Sequence, residues 1–185
     1  MSAKTVQWIP SSDENANNKK KITHVQIVAH YVANQTAAGP SESTTPKTNH
    51  WLIHLTTARN QSIQVDATPN FPSMKMTIMC SVKPYDVTDK ANKIVPVVPL
   101  KDLTVKAFFD LIKEHRYDQY RFTENGTGCR YWTYCVVRLL RTQKLISEAD
   151  FREAENALQK VWKDGKPLGA GNQTTLESQK GTFTG

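Results

Sequence analysis

A cysteine that follows a glycine-containing loop is the residue of this chain with the clearest chemical potential. Cys129 comes after Gly126 and Gly128 and directly before a run with helical periodicity. At the first turn of a helix, the backbone N–H groups and the helix dipole favour the thiolate, the nucleophilic form of cysteine. The two glycines allow close approach of a substrate and leave N–H groups free for an oxyanion. The pattern predicts a catalytic nucleophile, and the alternative is a small core residue.

The other two cysteines are predicted to be structural. Cys80 alternates with apolar residues in a strand-like stretch, and Cys135 lies six residues after Cys129, on a different side of the same predicted helix. Three cysteines with these spacings match neither a zinc motif nor a disulfide framework. We therefore expect no metal and no cofactor.

A thiol nucleophile needs a base, and the strand-like sequence Asn-His-Trp-Leu-Ile-His-Leu offers two. His50 and His54 lie on the strand face opposite Trp51. His50 opens the strand beside a loop, which gives it access to solvent, and we predict it to be the base. His54 lies deeper and is the second candidate, while either histidine could be a half-buried structural residue.

The following strand-like stretch, 62–68, is predicted to form a hairpin with the histidine strand. Its polar face carries Gln64 and Asp66, and either could orient the histidine. Asp66 would hold an imidazolium, whereas Gln64 would fix a neutral tautomer. The alternative is that both side chains face solvent. Substrate contacts are predicted for residues beside the nucleophile and the base, namely Gly128, Arg130, Trp51 and Asn125.

Length and composition predict a single globular domain. The chain has 185 residues, 38% of them hydrophobic and 22% charged, and a net charge of +7. No apolar run approaches the ~20 residues that a membrane span needs, and the polar N-terminus has no secretory pattern. We expect a cytoplasmic protein with a flexible polar arm over 1–21, an α+β domain over 22–165 and a flexible tail over 166–185.

The periodicity predicts strands first and helices afterwards, an order typical of the α+β class. Strands are expected over 24–32, 50–55, 62–68 and 74–82, with an edge segment over 94–100 that contains two prolines. Helices are expected from Thr104 to about His115, from Cys129 to Arg141 and after Ser147. The sheet is predicted to be mainly antiparallel and to pack against the Cys129 helix.

Two signatures, His50-Trp51-x-Ile53-x-Leu55 and Gly128-Cys129-Arg130-Tyr131-Trp132, resemble a small fungal family of unknown function over about residues 24–163. At the level of fold, both are similar to the circularly permuted papain-like enzymes, including the lecithin retinol acyltransferase-like and PPPDE-type proteins. In that group a strand histidine precedes a cysteine at a helix start, an order that His50 and Cys129 match.

That resemblance implies a permuted papain-like fold and a cysteine-dependent hydrolase or transferase, acting on an amide, ester or thioester. A third polar group on the adjacent strand would fall on Gln64 or Asp66. Those enzymes tend to carry Asn-Cys-x-His-Phe, where this chain has Gly-Cys-Arg-Tyr-Trp. A small molecule or a peptide is the expected substrate, with no membrane partner.

Two alternatives follow from the basic charge. The chain also resembles, more distantly, the small fungal arginine-containing cyclodipeptide synthases, which use charged transfer RNA, although their Asp-Asp-x-x-Glu signature has no match here. A non-catalytic module that binds a ligand or RNA is the other alternative. Its candidate contact is the basic and aromatic stretch 116–122, which could stack on bases or pack under the following helix.

Overall fold

A computed structural model describes residues 5–32, 48–168 and 176–184. Ten strands in these ranges form a curled, mainly antiparallel sheet and a two-stranded ribbon. The strands are β1 (Val6–Trp8), β2 (His24–Val32), β3 (Thr48–Ala58), β4 (Gln61–Asn70), β5 (Lys75–Lys83), β6 (Lys93–Val97), β7 (Tyr120–Arg121), β8 (Trp162–Lys163), β9 (Lys166–Pro167) and β10 (Thr182–Phe183).

The main sheet has the order β10-β7-β5-β4-β3-β2-β6, and β1 pairs parallel with β5. β8 and β9 form the ribbon. The four α-helices of the described residues are α1 (Asp13–Asn17), α2 (Val105–Glu114), α3 (Cys129–Thr142) and α4 (Glu148–Leu158). The prediction of an α+β class with an antiparallel sheet is confirmed.

Helix α3 packs across β3 and forms the centre of the core. The apolar face of β3 contributes Trp51, Ile53 and Leu55, and α3 contributes Trp132 and Val136, all fully buried. These residues follow the strand period of two and the helix period of 3.6, as the sequence predicts. The packing fixes the start of α3 relative to β3, the strand that carries both candidate bases.

The predicted helix starts of α2 and α4 are confirmed by their caps. The Thr104 hydroxyl accepts a hydrogen bond from Ala107 N at 3.2 Å, and the Ser147 hydroxyl accepts one from Asp150 N at 3.0 Å. Both caps satisfy a backbone donor that has no partner within the first turn of a helix.

The described parts of the two terminal segments contain short strands and helices. The sequence predicts a flexible arm and a flexible tail there, and that flexibility stays a prediction. Val6 and Trp8 alternate inward along β1 and are buried against the sheet. At the other end, β10 pairs with β7, and Leu176 and Gln179 are buried. Residues 1–4, 169–175 and 185 of these segments lie outside the described residues.

Strands β3 and β4 pair only along part of their length. Their ladder runs from Ala58↔Gln61 to Ile53↔Val65, while β3 continues along β2 and β4 continues along β5. Within the described residues, the start of β3 therefore has an edge that β4 leaves uncovered.

Candidate active site

Cys129 is the first residue of α3 and is 8% exposed. Gly128 precedes it at the N-cap position, where no side chain caps the helix. The first N–H groups of a helix have no intrahelical partner and are available to an anion. The predicted placement of Cys129 at a helix start is confirmed.

A short closed loop delivers Cys129 to this position. The hydroxyls of Thr123 and Thr127 lie 2.7 Å apart, and Thr123 N donates to the Thr127 carbonyl oxygen at 3.0 Å. Gly126 has a φ of +71°, which favours glycine. The Tyr120 hydroxyl then donates to the Gly128 carbonyl oxygen at 3.2 Å. Local hydrogen bonds on both sides therefore fix the backbone before the thiol.

His50 and Asp66 meet where β3 and β4 diverge. The His50 Nε2 atom lies 2.8 Å from Asp66 Oδ1, and their side chains are 32% and 20% exposed. The His50 ring lies next to the Cys129 thiol, close enough for each group to shift the pKa of the other. Because Nε2 is engaged by Asp66, Nδ1 is the ring nitrogen available to the sulfur. Of the two predicted orienters, Asp66 contacts His50.

The electrostatics of the pair favour a thiolate and an imidazolium. Burial raises the pKa of the Cys129 thiol, but the charge of His50, its hydrogen bond and a hydrogen bond from the Trp51 backbone together lower it below the ordinary value. Burial lowers the pKa of His50, whereas the Cys129 charge and the hydrogen bonds with Asp66 and Cys129 raise it to about 11. Each charge stabilises the other, and the carboxylate stabilises the imidazolium.

Trp51 affects the Cys129 thiol through its backbone and not through its side chain. Its indole is fully buried in the core, so this side chain has no open surface to offer to a substrate. Its backbone lowers the pKa of the Cys129 thiol, and it lies at the edge of β3 that β4 leaves uncovered. The divergence of the two strands therefore creates a position in which a thiolate can accept a main-chain hydrogen bond.

The remaining predicted contacts differ in exposure. Arg130 is fully buried, and burial lowers its pKa to about 10 despite the opposing effect of the Cys129 charge. This side chain therefore belongs to the interior and does not line an open surface. Asn125 is exposed at the tip of the loop, and Gly128 is buried beneath Tyr120.

His54, the second candidate base, lies away from the thiol. It is fully buried, its Nδ1 atom lies 3.0 Å from the Ser62 hydroxyl, and its cross-strand neighbour is Gln64. Burial, with smaller contributions from His30 and Lys83, lowers the pKa of His54 to about 4. Gln64 thus accompanies His54, whereas Asp66 accompanies His50.

The buried His54 gives the protein a defined sensitivity to acid. Unfolded His54 binds a proton below its ordinary pKa of 6.5, whereas the folded group does so only near 4. The free energy of unfolding should therefore decrease as the pH falls from 6.5 to 4, by about 3 kcal/mol from this group. Urea unfolding at several pH values measures this decrease in the free energy of unfolding. His54→Gln should flatten the decrease, whereas the exposed control His115→Gln should retain it; equal slopes in wild type and His54→Gln would contradict this assignment.

Gly128 is a further position where the sequence is constrained. It has a φ of +153°, and a Cβ atom there would lie 2.9 Å from Phe122 Cδ1 and 3.0 Å from the Tyr120 hydroxyl oxygen. Gly128→Ala should lower the free energy of unfolding by about 2 kcal/mol or more, through overpacking and backbone strain. Gly165→Ala is the matched control. Gly165 also has a positive φ, +75°, but a Cβ atom added there would meet no non-neighbouring atom within 4 Å. That variant should lose only about 1 kcal/mol. Equal losses in urea unfolding would contradict the steric argument.

Two residues near the site were not singled out from the sequence. Tyr120 anchors Gly128 and also accepts a hydrogen bond from Gly181 N at 2.8 Å. His30 lies directly opposite His50 on β2, and burial together with the charge of His50 lowers its pKa. Pairing of the two histidine-bearing strands was the only signal that could have indicated His30. Tyr120 lies in a connector whose aromatic residues the sequence did not assign individually.

The described residues contain no group of three or more histidine, cysteine or acidic side chains placed to hold a metal ion. In the same ranges, no helix combines the length and apolarity that crossing a membrane requires. Cys80 and Cys135 are buried, and burial raises the pKa of both thiols. Their assignment to the core is confirmed, which leaves Cys129 as the thiol with a lowered pKa.

The family model described as "Domain of unknown function (DUF7770)" matches residues 25–184. The chain therefore belongs to this family, and the match includes both the His50 strand and the Cys129 helix. Comparisons with curated proteins and with solved structures find no match.

Proposed function

We propose that this member of the family is a cysteine-dependent hydrolase or acyl transferase that acts on an amide, ester or thioester. The observation that carries the proposal is the arrangement in which Asp66 contacts His50 at 2.8 Å and His50 lies next to the Cys129 thiol. A nucleophile, a base within hydrogen-bond reach and a group that orients the base are the requirements for covalent acyl transfer. The proposed substrate is a small molecule or a peptide.

The chemistry follows from the atoms present. The Cys129 thiolate attacks the carbonyl carbon, and the displaced electron pair moves onto the carbonyl oxygen. The N–H groups at the start of α3 stabilise this oxyanion in the proposed scheme. His50 then donates its proton to the leaving amine, alcohol or thiol, and the acyl group remains on the sulfur. Water or a second acceptor loses a proton to His50, attacks the thioester and regenerates the thiolate.

Asp66 acts as the positioning residue in this scheme. Its contact with Nε2 directs Nδ1 towards the sulfur and stabilises the imidazolium. The arrangement fits the permuted papain-like architecture, in which the strand histidine precedes the helix cysteine along the chain. We include that architecture in the proposal.

The direct test of the proposal is acylation by p-nitrophenyl acetate, followed by release of p-nitrophenolate and by intact mass. Wild type should gain one acetyl group on Cys129 and release p-nitrophenolate in a burst. Cys129→Ala should lose the adduct, and His50→Ala should lose the burst while remaining folded. A wild-type protein that forms no acyl-enzyme would contradict the proposal.

Fewer structural observations favour the alternatives to a thiol enzyme. Tyr120 and Phe122 of the 116–122 stretch are buried, and the Tyr117 ring packs on Phe183 with centroids 4.9 Å apart. This stretch therefore packs its aromatic rings internally and does not present them to bases. Binding of RNA with a steep salt dependence, together with an unreactive Cys129, would favour an RNA-binding module or a transfer RNA-dependent enzyme over the thiol enzyme.

A further inference from the structure

A polar cleft on another part of the sheet contains a buried carboxylate with an unused oxygen. The cleft has a volume of about 440 Å³ and lies between β5 and β7, with Thr5 and Thr184 also in its lining. Volumes of this size hold small molecules. Neither Cys129 nor His50 lines the cleft, so it is distinct from the candidate active site.

Asp118 is the central group of this cleft. It is 8% exposed, and its Oδ2 atom accepts a hydrogen bond from the Thr5 hydroxyl at 2.6 Å. Its Oδ1 atom is buried and has no hydrogen-bond partner among residues 5–32, 48–168 and 176–184. A buried carboxylate oxygen without a partner is unfavourable, and a cationic N–H donor is the strongest partner that it can accept.

Lys75 adds a second charge of opposite sign. It lines the same cleft, and within the described residues its ammonium group has neither a hydrogen bond nor an ion pair. The other side chains around the cleft are mostly neutral and polar. Among them, the Asn70 amide donates to the Thr77 hydroxyl at 2.6 Å, which fixes one wall. A ligand that complements both charges carries an ammonium group and a carboxylate.

We propose that this cleft binds a small zwitterion, a free amino acid or a dipeptide, with its ammonium group on Asp118 and its carboxylate facing Lys75. The Asp118 carboxylate accepts the ammonium N–H, and Lys75 neutralises the ligand's carboxylate at the more exposed side. The neutral hydroxyl and amide groups solvate the ligand between the two charges. This proposal does not depend on acyl transfer at Cys129.

The test is a titration of the ¹⁵N-labelled full chain with each of the twenty amino acids and with glycylglycine, up to about 10 mM. Saturable shifts of the Lys75, Thr77 and Gln119 amide resonances are expected for at least one of them. Capping that ligand's ammonium group by acetylation, or its carboxylate by amidation, should weaken binding at least about tenfold. These comparisons use wild-type protein only, so they test whether both charges of the ligand are recognised even if a variant fails to fold.

Asp118→Asn retains an oxygen for Thr5 and removes the charge, so it should weaken binding at least about tenfold. Lys75→Met should also weaken binding of the zwitterion, while the exposed control Asp89→Asn should bind it as wild type does. Cys129→Ala should also bind normally, which separates this proposal from the catalytic one. Absence of saturable binding by every probe, equal binding of the capped ligands, or full affinity in folded Asp118→Asn would each overturn the proposal.

Discussion

His50→Gln should slow alkylation of Cys129 by iodoacetamide at pH 6 about 30-fold or more. In wild type, the charge and hydrogen bond of His50 lower the pKa of the thiol against the effect of burial. Without them, burial and the ordinary value of 9.0 leave only about one thiol in a thousand ionised at pH 6. The alkylation rate should change less than the ionised fraction does, because a thiolate of low pKa is intrinsically the weaker nucleophile.

The matched control for this result lies on the same strand. His54→Gln makes the same chemical change four residues later, at a ring that contacts Ser62 and not the thiol. Its alkylation rate should stay within about twofold of wild type. If His50→Gln and His54→Gln react alike, His50 is not the partner of Cys129.

The second large effect concerns Asp66. Asp66→Asn should lower the rate of p-nitrophenolate release by about 100-fold, because Nε2 loses the carboxylate that orients the ring and stabilises the imidazolium. Alkylation at neutral pH should change much less. The negative charge of Asp66 itself raises the pKa of Cys129, so its removal favours the thiolate directly while weakening the imidazolium. The expected signature is therefore a loss of turnover with a retained reactive thiol.

Gln64→Ala is the control for Asp66→Asn. Gln64 lies beside His54 in the β3–β4 ladder, so its removal should leave turnover within about twofold of wild type. A large loss in Gln64→Ala with little change in Asp66→Asn would reverse the roles assigned to the two residues. A loss of alkylation equal to the loss of turnover in Asp66→Asn would indicate a general structural role.

Local patterns were sufficient to predict the strands and helices around the site. The alternation in β3 separated Trp51 from His50, and the caps at Thr104 and Ser147 gave the starts of two helices. These features depend on residues close together in sequence, so periodicity and capping chemistry indicate them. The position of Cys129 at a helix start was predictable for the same reason.

Long-range geometry decided what the sequence left open. Gln64 and Asp66 share one face of β4, so alternation alone cannot choose between them. The choice depends on where the ladder between β3 and β4 ends, which places Asp66 against His50 and Gln64 against His54. The effect of the Trp51 backbone on the pKa of Cys129 depends on the same end point, because β4 leaves this edge of β3 uncovered.

The short terminal elements were beyond prediction for a different reason. β1 has three residues and β10 has two, so neither is long enough for a period to be recognised. Both form strands by pairing with partners that are distant in sequence: β1 pairs with β5, and β10 pairs with β7. The Asp118 cleft could not be predicted from the sequence either, because Thr5 and Asp118 are brought together only by these terminal pairings.

The most direct test of the central claim is the pH dependence of Cys129 alkylation in the wild-type protein, followed by mass spectrometry at that residue. The proposed thiolate–imidazolium pair predicts a rate that reaches its plateau well below pH 9.0 and changes again only as His50 loses its proton near pH 11. A rate that rises through a single midpoint at or above pH 9.0 would show that Cys129 is an ordinary buried thiol and would contradict the account.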